Sequence, residues 1–268
     1  MRALRIGIVN LMPRLETYEP LLSAWFEGAG RPLELAWIRL ASHGYASSDP
    51  AHLAAHYTTY EAARARGPLD GFVVTGAPVE HLPLEEVRYW PELSSLLDDA
   101  RAHVGSTLGI CWGAMALAER EGARREVLSR KISGVFRHTV RARGAAVTGL
   151  SGDGFACPHS RFAGFSADEI ARAEAEGRLV EIADGGEAGP ALLATPDGRA
   201  WMHLGHPEYD AGRLGAEWRR DEAAGRTDVD PPRGYDLVQD RPAFAWGEDS
   251  RAFLRAWLAR CDVPTREG

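Results

Sequence analysis

Hydrophobic positions along the chain follow two periods, one of two residues or unbroken and one of three to four. Leu4–Val9 is a mostly apolar run interrupted only by Arg5, the pattern of a strand buried on both faces. The N-terminal stretch Met1–Met12 has no small-residue cleavage site, so it reads as a strand and not as a signal peptide. Tyr18–Glu27 then sets Leu21, Leu22, Trp25 and Phe26 at helical spacing. Leu33–Leu40 predicts a second strand, and the Ala-rich stretch His52–Arg66 predicts a helix. Gly71–Thr75 predicts a third strand, entering the turn Gly76-Ala77-Pro78. Trp90–His103 places Leu93, Leu96, Leu97 and Ala100 on one helical face, and Thr107–Ile110 predicts a fourth strand that runs directly into Cys111.

Strand and helix in alternation predict an α/β fold, a doubly wound and mostly parallel sheet with helices on both faces. Ligands of such sheets bind beyond the C-terminal strand ends, and Asn10, Gly76 and Cys111 each sit at one, so the pattern points to a single rim. The second half is less regular. Ile132–Thr139 and Val180–Ile182 predict strands, while Pro190–Thr195, the turn Pro196-Asp197-Gly198 and Ala200–Leu204 predict a hairpin, a small antiparallel extension. Ala211–Ala224 and Ser250–Cys261 predict helices, and Gly225–Pro242 a long surface loop. With no internal repeat and no convincing linker, residues 1–268 are expected to form a single domain.

Composition removes several classes of function. The 268 residues carry 31 basic and 38 acidic side chains, a net charge of −7, which argues against a nucleic-acid binder. No apolar run reaches the roughly 18–20 residues that span a bilayer. Cys111, Cys157 and Cys261 are too few and too scattered for a disulfide framework or a zinc site, so a reducing cytoplasm is the expected compartment and no metal is expected. Lys131 is the only lysine among the 31 basic residues. A bias toward Arg accounts for the ratio but not for where the one Lys stands.

The sharpest local signal is Gly109-Ile110-Cys111-Trp112-Gly113. Glycines two before and two after a nucleophile let a strand turn sharply into a helix and lift the thiol out of the sheet. The helix N-terminus beneath the sulfur favours thiolate, and the backbone N–H of Trp112 would face an oxyanion. A buried cysteine at a tight junction is the plainer alternative. A thiol nucleophile needs a base and the base an orienting group. His43, His52, His56 and His103 fall in loops or on helices with no carboxylate suggestively placed. Gly205-His206-Pro207-Glu208 differs, because it ends an apolar run and its His and Glu, two apart, leave an extended backbone on the same side. Alone it reads better as a surface His beside an acid; with the Cys111 turn it reads as a Cys111–His206–Glu208 triad.

Gly-x-Cys-x-Gly with a distal His-Pro-Glu resembles the class I glutamine amidotransferase-like (flavodoxin-like) fold. Within it, Asn10-Leu11-Met12-Pro13, Thr75-Gly76-Ala77-Pro78, Tyr89-Trp90-Pro91, Cys111-Trp112, Lys131-Ile132-Ser133-Gly134-Val135, Pro158-His159-Ser160-Arg161 and Gly205-His206-Pro207-Glu208-Tyr209-Asp210 occur in order. Together they resemble the homoserine O-acyltransferases of methionine biosynthesis.

The resemblance implies a ping-pong transfer in which acyl-CoA, a co-substrate, acylates Cys111 and an amino-acid hydroxyl then attacks, with His206 as general base and Glu208 orienting it. No bound cofactor is implied. The implied partners are small molecules, with a homodimer left open. The same motif matching places Lys131, Ser160 and Arg220 at substrate-contacting positions, with Glu217 one helical turn from Arg220. The plainer alternatives are a solvated Lys131, a capping hydroxyl at Ser160 and an ordinary helix-surface charge at Arg220. The turn continues into Val79-Glu80, the Val79 backbone being a second oxyanion donor and Glu80 bordering the acyl pocket. In the family a Glu at the position of Glu80 goes with acetyl transfer and a Gly with succinyl transfer. A Glu fills space and repels the distal succinyl carboxylate, so acetyl-CoA is the expected donor. Serine as acceptor, succinyl-CoA as donor and glutamine amidase chemistry are the alternatives.

Overall fold

A computed structural model describes residues 2–148, 150, 154–243 and 245–262. The strands are β1 (Leu4–Val9), β2 (Leu33–Ile38), β3 (Gly71–Val74), β4 (Ser106–Ile110), β5 (Glu126–Val140), β6 (Phe155–Gly164), β7 (Val180–Asp184), β8 (Pro190–Ala194), β9 (Ala200–His203), β10 (Tyr235–Asp236) and β11 (Arg241–Pro242). The helices are α1 (Leu15–Glu27), α2 (Pro50–His56), α3 (Tyr60–Ala65), α4 (Trp90–His103), α5 (Trp112–Arg120), α6 (Ala142–Thr148), α7 (Ala167–Ala175), α8 (Arg213–Ala223) and α9 (Gly247–Cys261).

One nine-stranded sheet runs in the order β2-β1-β3-β4-β9-β8-β7-β5-β6. From β2 to β9 the pairings are parallel. From β9 outward through β8, β7, β5 and β6 they are antiparallel. The doubly wound sheet is as expected, and the antiparallel extension is larger than one hairpin.

Alternation along the strands separates two cores. Ile6, Ile8, Val73, Leu108, Ile110 and Trp201 face α1 and α9, where Leu22, Phe26, Leu254 and Trp257 meet them. Phe72, Val74 and Met202 face the opposite side, against Leu93 and Leu97 of α4 and Met115 of α5. Both faces of the parallel strands are therefore covered, which is why they read as unbroken apolar runs.

The predicted helix His52–Arg66 is two helices. Between them Thr58 is pulled into an extended bridge with Ile38, donating to Trp37 O at 3.0 Å and accepting from Arg39 N at 2.9 Å. Thr59 then caps α3, its hydroxyl accepting from Ala62 N. Gly225–Pro242 is largely loop but holds the β10–β11 pair. Strand β6 and helix α7 lie outside the sequence-based reading. Among the described residues no helix is long and apolar enough to cross a membrane.

Candidate active site

Cys111 sits at the turn from β4 into α5 with φ 52° and ψ −112°, a left-handed backbone rare for a residue with a side chain. The flanking glycines make this possible. A Cβ on Gly113 would lie 2.2 Å from Val74 O, and one on Gly109 would lie 2.5 Å from Gly113 O. Cys111 N donates to His203 O at 2.8 Å, which ties the turn to β9, and Cys111 O accepts from Met115 N to open the helix.

Cys111 and the His206 ring meet beside Gly76, where a Cβ would lie 3.4 Å from Cys111 Cβ and 3.7 Å from His206 Cε1. His206 Nδ1 lies 2.7 Å from Glu208 Oε1, both side chains buried. The His206 ring stacks on Tyr209 with centroids 4.1 Å apart. Neighbouring elements hold the segment from several directions. His206 N donates to Pro158 O of β6 at 2.8 Å, Ser250 Oγ of α9 donates to Pro207 O at 2.6 Å, and Trp246 Nε1 donates to Tyr209 O at 3.1 Å. Burial works against a proton on His206. The charges of Glu208 and Cys111 and the hydrogen bonds to both outweigh it and hold the imidazole pKa well above its ordinary value.

Cys111 and His206 open onto a cavity of about 520 Å³. Gly76, Ala77, Pro78 and Glu80 also line it. Val79 is not among the lining residues; its side chain packs on the core and its carbonyl accepts from Leu82 N. Glu80 does not point away to solvent: its Oε1 accepts from Phe162 N at 2.8 Å, and burial pushes its pKa up.

Lys131, Ser160 and Arg220 line the same cavity, with Glu217 and Asp221. Lys131 Nζ donates to Asp221 Oδ2 at 2.6 Å, with side chains only 5% and 8% exposed, so the lone lysine is a buried ion-pair member. Ser160 Oγ donates to Glu217 Oε2, and Glu217 Oε1 accepts from Tyr209 Oη at 2.8 Å and Arg213 Nε at 3.2 Å. Burial works against the Glu217 carboxylate, yet the charges of Lys131 and His206 and the Ser160 hydroxyl lower its pKa. Arg220 also lines the cavity, its guanidinium bonded to Asp221 while 59% of the side chain stays exposed. Arg161, by contrast, is wholly buried, donating to the carbonyls of Ala163 and Ala188 and to His159 Nδ1.

Residue types alone did not reveal Tyr18, Asp221 or Arg161. Asp221 beside Arg220 reads as one more surface charge. The spacing Arg213, Glu217, Asp221 is the signal that was present, since residues four apart share one face of a helix. Of the histidines set aside, His52 and His103 do meet carboxylates, Glu19 at 2.9 Å and Asp99 at 3.2 Å, but neither lines this cavity.

Among solved structures, a glutamine amidotransferase from Methylobacillus flagellatus superposes with a TM-score of 0.61 at 15% identity, covering 100% of this chain and 98% of that one. A glutamine amidotransferase from Thermotoga maritima gives 0.61 at 13% identity, covering 98% and 100%. These likenesses establish the fold. A homoserine O-acetyltransferase from Jannaschia sp. is 34% identical over 99% of this chain and 85% of its own length. One from Geobacillus kaustophilus is 36% identical over 96% and 85%. A family model described as homoserine O-succinyltransferase matches residues 1–264. The chain belongs to this homoserine O-acyltransferase family and is an acyltransferase enzyme.

Proposed function

We propose that this enzyme transfers the acetyl group of acetyl-CoA to the side-chain hydroxyl of L-homoserine, in methionine biosynthesis in the cytoplasm. The observation that carries this reading is that Cys111 and His206, the latter hydrogen-bonded to Glu208, line one cavity together with Glu80.

In the first half-reaction His206 takes the Cys111 proton and the thiolate attacks the thioester carbonyl. The resulting oxyanion lies near the N-terminus of α5, where the Trp112 N–H is a donor. The C–S bond to CoA breaks, and His206 returns its proton to the departing thiolate. In the second half the homoserine hydroxyl loses its proton to His206 and attacks the Cys111 thioester. O-Acetylhomoserine leaves and the cysteine thiol is restored. Glu208 keeps the imidazole oriented through both halves. An Arg fork and a Lys point charge suit the amino-acid carboxylate, a role for Arg220 and Lys131, with Ser160 bordering the same wall.

Glu80 favours acetyl over succinyl. Its carboxylate is already partly desolvated, and a second one in the same cavity adds like-charge repulsion. Serine is one methylene shorter than homoserine, a difference worth only ~1–3 kcal/mol in a pocket.

Intact-mass measurement after acetyl-CoA is added tests the reading. One acetyl group gained, and none in Cys111→Ala, is the expected result. Glutamine turnover with no adduct would overturn it in favour of an amidase. Parallel runs with succinyl-CoA, and with homoserine against serine, fix donor and acceptor.

A further inference from the structure

Glu208 takes two hydrogen-bonding groups on one oxygen. His206 Nδ1 faces Oε1 from one side, and the hydroxyl of Tyr18 donates to the same atom from α1. The other oxygen, Oε2, is buried and has no hydrogen-bond partner among the described residues. The carboxylate is therefore held through Oε1 alone, and one of its two anchors is a phenol 190 positions away in the chain. Tyr18 is 1% exposed and belongs to the apolar face of α1 with Leu22 and Phe26. A phenylalanine would meet that packing demand, so the hydroxyl needs a separate reason. The second phenol of the site, Tyr209, is spent on Glu217.

We propose that Tyr18 is a positioning residue of the catalytic relay, its hydroxyl fixing the Glu208 carboxylate and setting how strongly that carboxylate holds the His206 proton. Two donors sharing one oxygen divide its charge. Remove the phenol and all of Oε1 faces the imidazole, so the imidazolium becomes harder to deprotonate while the carboxylate is freer to rotate. Charged and titratable groups from the surrounding elements face this relay too. They are Cys111 of the β4–α5 turn, Glu80 of the turn after β3, Tyr209 and Glu217 beside the ring, Arg213 of α8, and His159, Cys157 and His203 behind it. Tyr18→Phe leaves all of them in place.

The inference rests on the thioester reading only for the half-reaction it slows, so the test has two arms. In the first, acetyl-enzyme is formed and its discharge by homoserine is followed against pH. There Cys111 is a neutral thioester and the acidic limb reports His206. Tyr18→Phe should move that limb up by about half a pH unit and slow discharge roughly ten-fold. In the second, Cys111 of the free enzyme is alkylated with iodoacetamide across pH, with no acyl donor present. The alkaline step, where the imidazolium is lost, should move up in the same variant. Failure of wild-type enzyme to form an acetyl adduct would count against the function proposed above and leave the second arm standing. Profiles of Tyr18→Phe that superpose on wild type in both arms would overturn the role of Tyr18. Should Tyr18→Phe fold poorly, 3-fluorotyrosine placed at position 18 keeps the shape and donates more strongly. It should shift both limbs downward, and no shift would equally overturn the inference.

Discussion

The parallel strands β2-β1-β3-β4-β9 and the antiparallel strands β8-β7-β5-β6 meet at the cavity and bring different things to it. The parallel half ends in the Cys111 turn after β4 and the His206 segment after β9, neighbouring strands whose C-terminal ends share one rim. The antiparallel half brings Lys131 of β5 and Ser160 of β6, faced by Glu217 and Asp221 of α8. On the proposed reading the reacting atoms sit at a strained turn, while the substrate-contacting side chains sit in ion pairs and hydroxyl contacts between separate elements. The fold's glutamine amidotransferase neighbours share the architecture at 13–15% identity, as expected when a common scaffold supports more than one chemistry.

The two halves should therefore fail in different ways. In the parallel half, Cys111→Ala should abolish the acyl adduct and turnover. His206→Gln should lower kcat/KM by roughly 10²–10⁴. An adduct on Cys111→Ala would move the nucleophile elsewhere and erase the division.

In the antiparallel half, Lys131→Met should first show as instability. It strands Asp221 as a buried charge that keeps only Arg220, and removing one partner of a buried pair costs roughly 3–5 kcal/mol. The double variant Lys131→Met with Asp221→Leu removes both charges and should recover most of that loss in a denaturant melt. The homoserine KM should stay elevated in the double variant. A KM that recovers with stability would reduce Lys131 to a structural role.

How legible each half was in the sequence follows the same line. Strand β1 was predicted at Leu4–Val9 and helix α4 at Trp90–His103, both as found, because burial on defined faces leaves an unambiguous apolar pattern. Strand β6 was not read, because its buried positions include His159 and Arg161, which look like surface residues in a string of letters. Gly109, Cys111 and Gly113 announced their turn locally. Tyr18 did not, since nothing in the sequence separates a core aromatic from a phenol bonded to Glu208. The break at Tyr57–Thr59 was also invisible, because it is imposed by pairing with β2, a contact between distant segments.

Buried histidines make the antiparallel half the weaker one in acid. His138 of β5 is held neutral, its pKa pushed down to about 4 by burial and then by the charge of Arg161. His159, 3.2 Å away on β6, is also held well below its ordinary value by burial and by His138 itself. An unfolded His takes up its proton near 6.5 and the folded His138 only near 4. Their contribution is therefore complete above pH 6.5 and drains away as pH falls toward 4, by about 3 kcal/mol for His138 alone. Hydrogen exchange at pH 7 and pH 5 should show β5 and β6 losing protection before β1, β3 and β4. Simultaneous loss in both halves would mean that the sheet opens as one unit.

The smallest expected effect lies where the halves touch. Glu80 comes from the parallel half, yet its carboxylate accepts from Phe162 N of β6. On the proposed reading its desolvated charge is one barrier to a succinyl group and its volume another. Glu80→Gly should remove both and raise the ratio of succinyl-CoA to acetyl-CoA kcat/KM by roughly ten-fold. Glu80→Gln keeps the volume and an acceptor for Phe162 N while removing only the charge. If charge governs the choice, Glu80→Gln should recover most of the succinyl gain; if volume governs it, only Glu80→Gly should. A ratio unchanged in both variants would place donor choice elsewhere in the cavity and remove the one point at which the reacting half also selects its substrate.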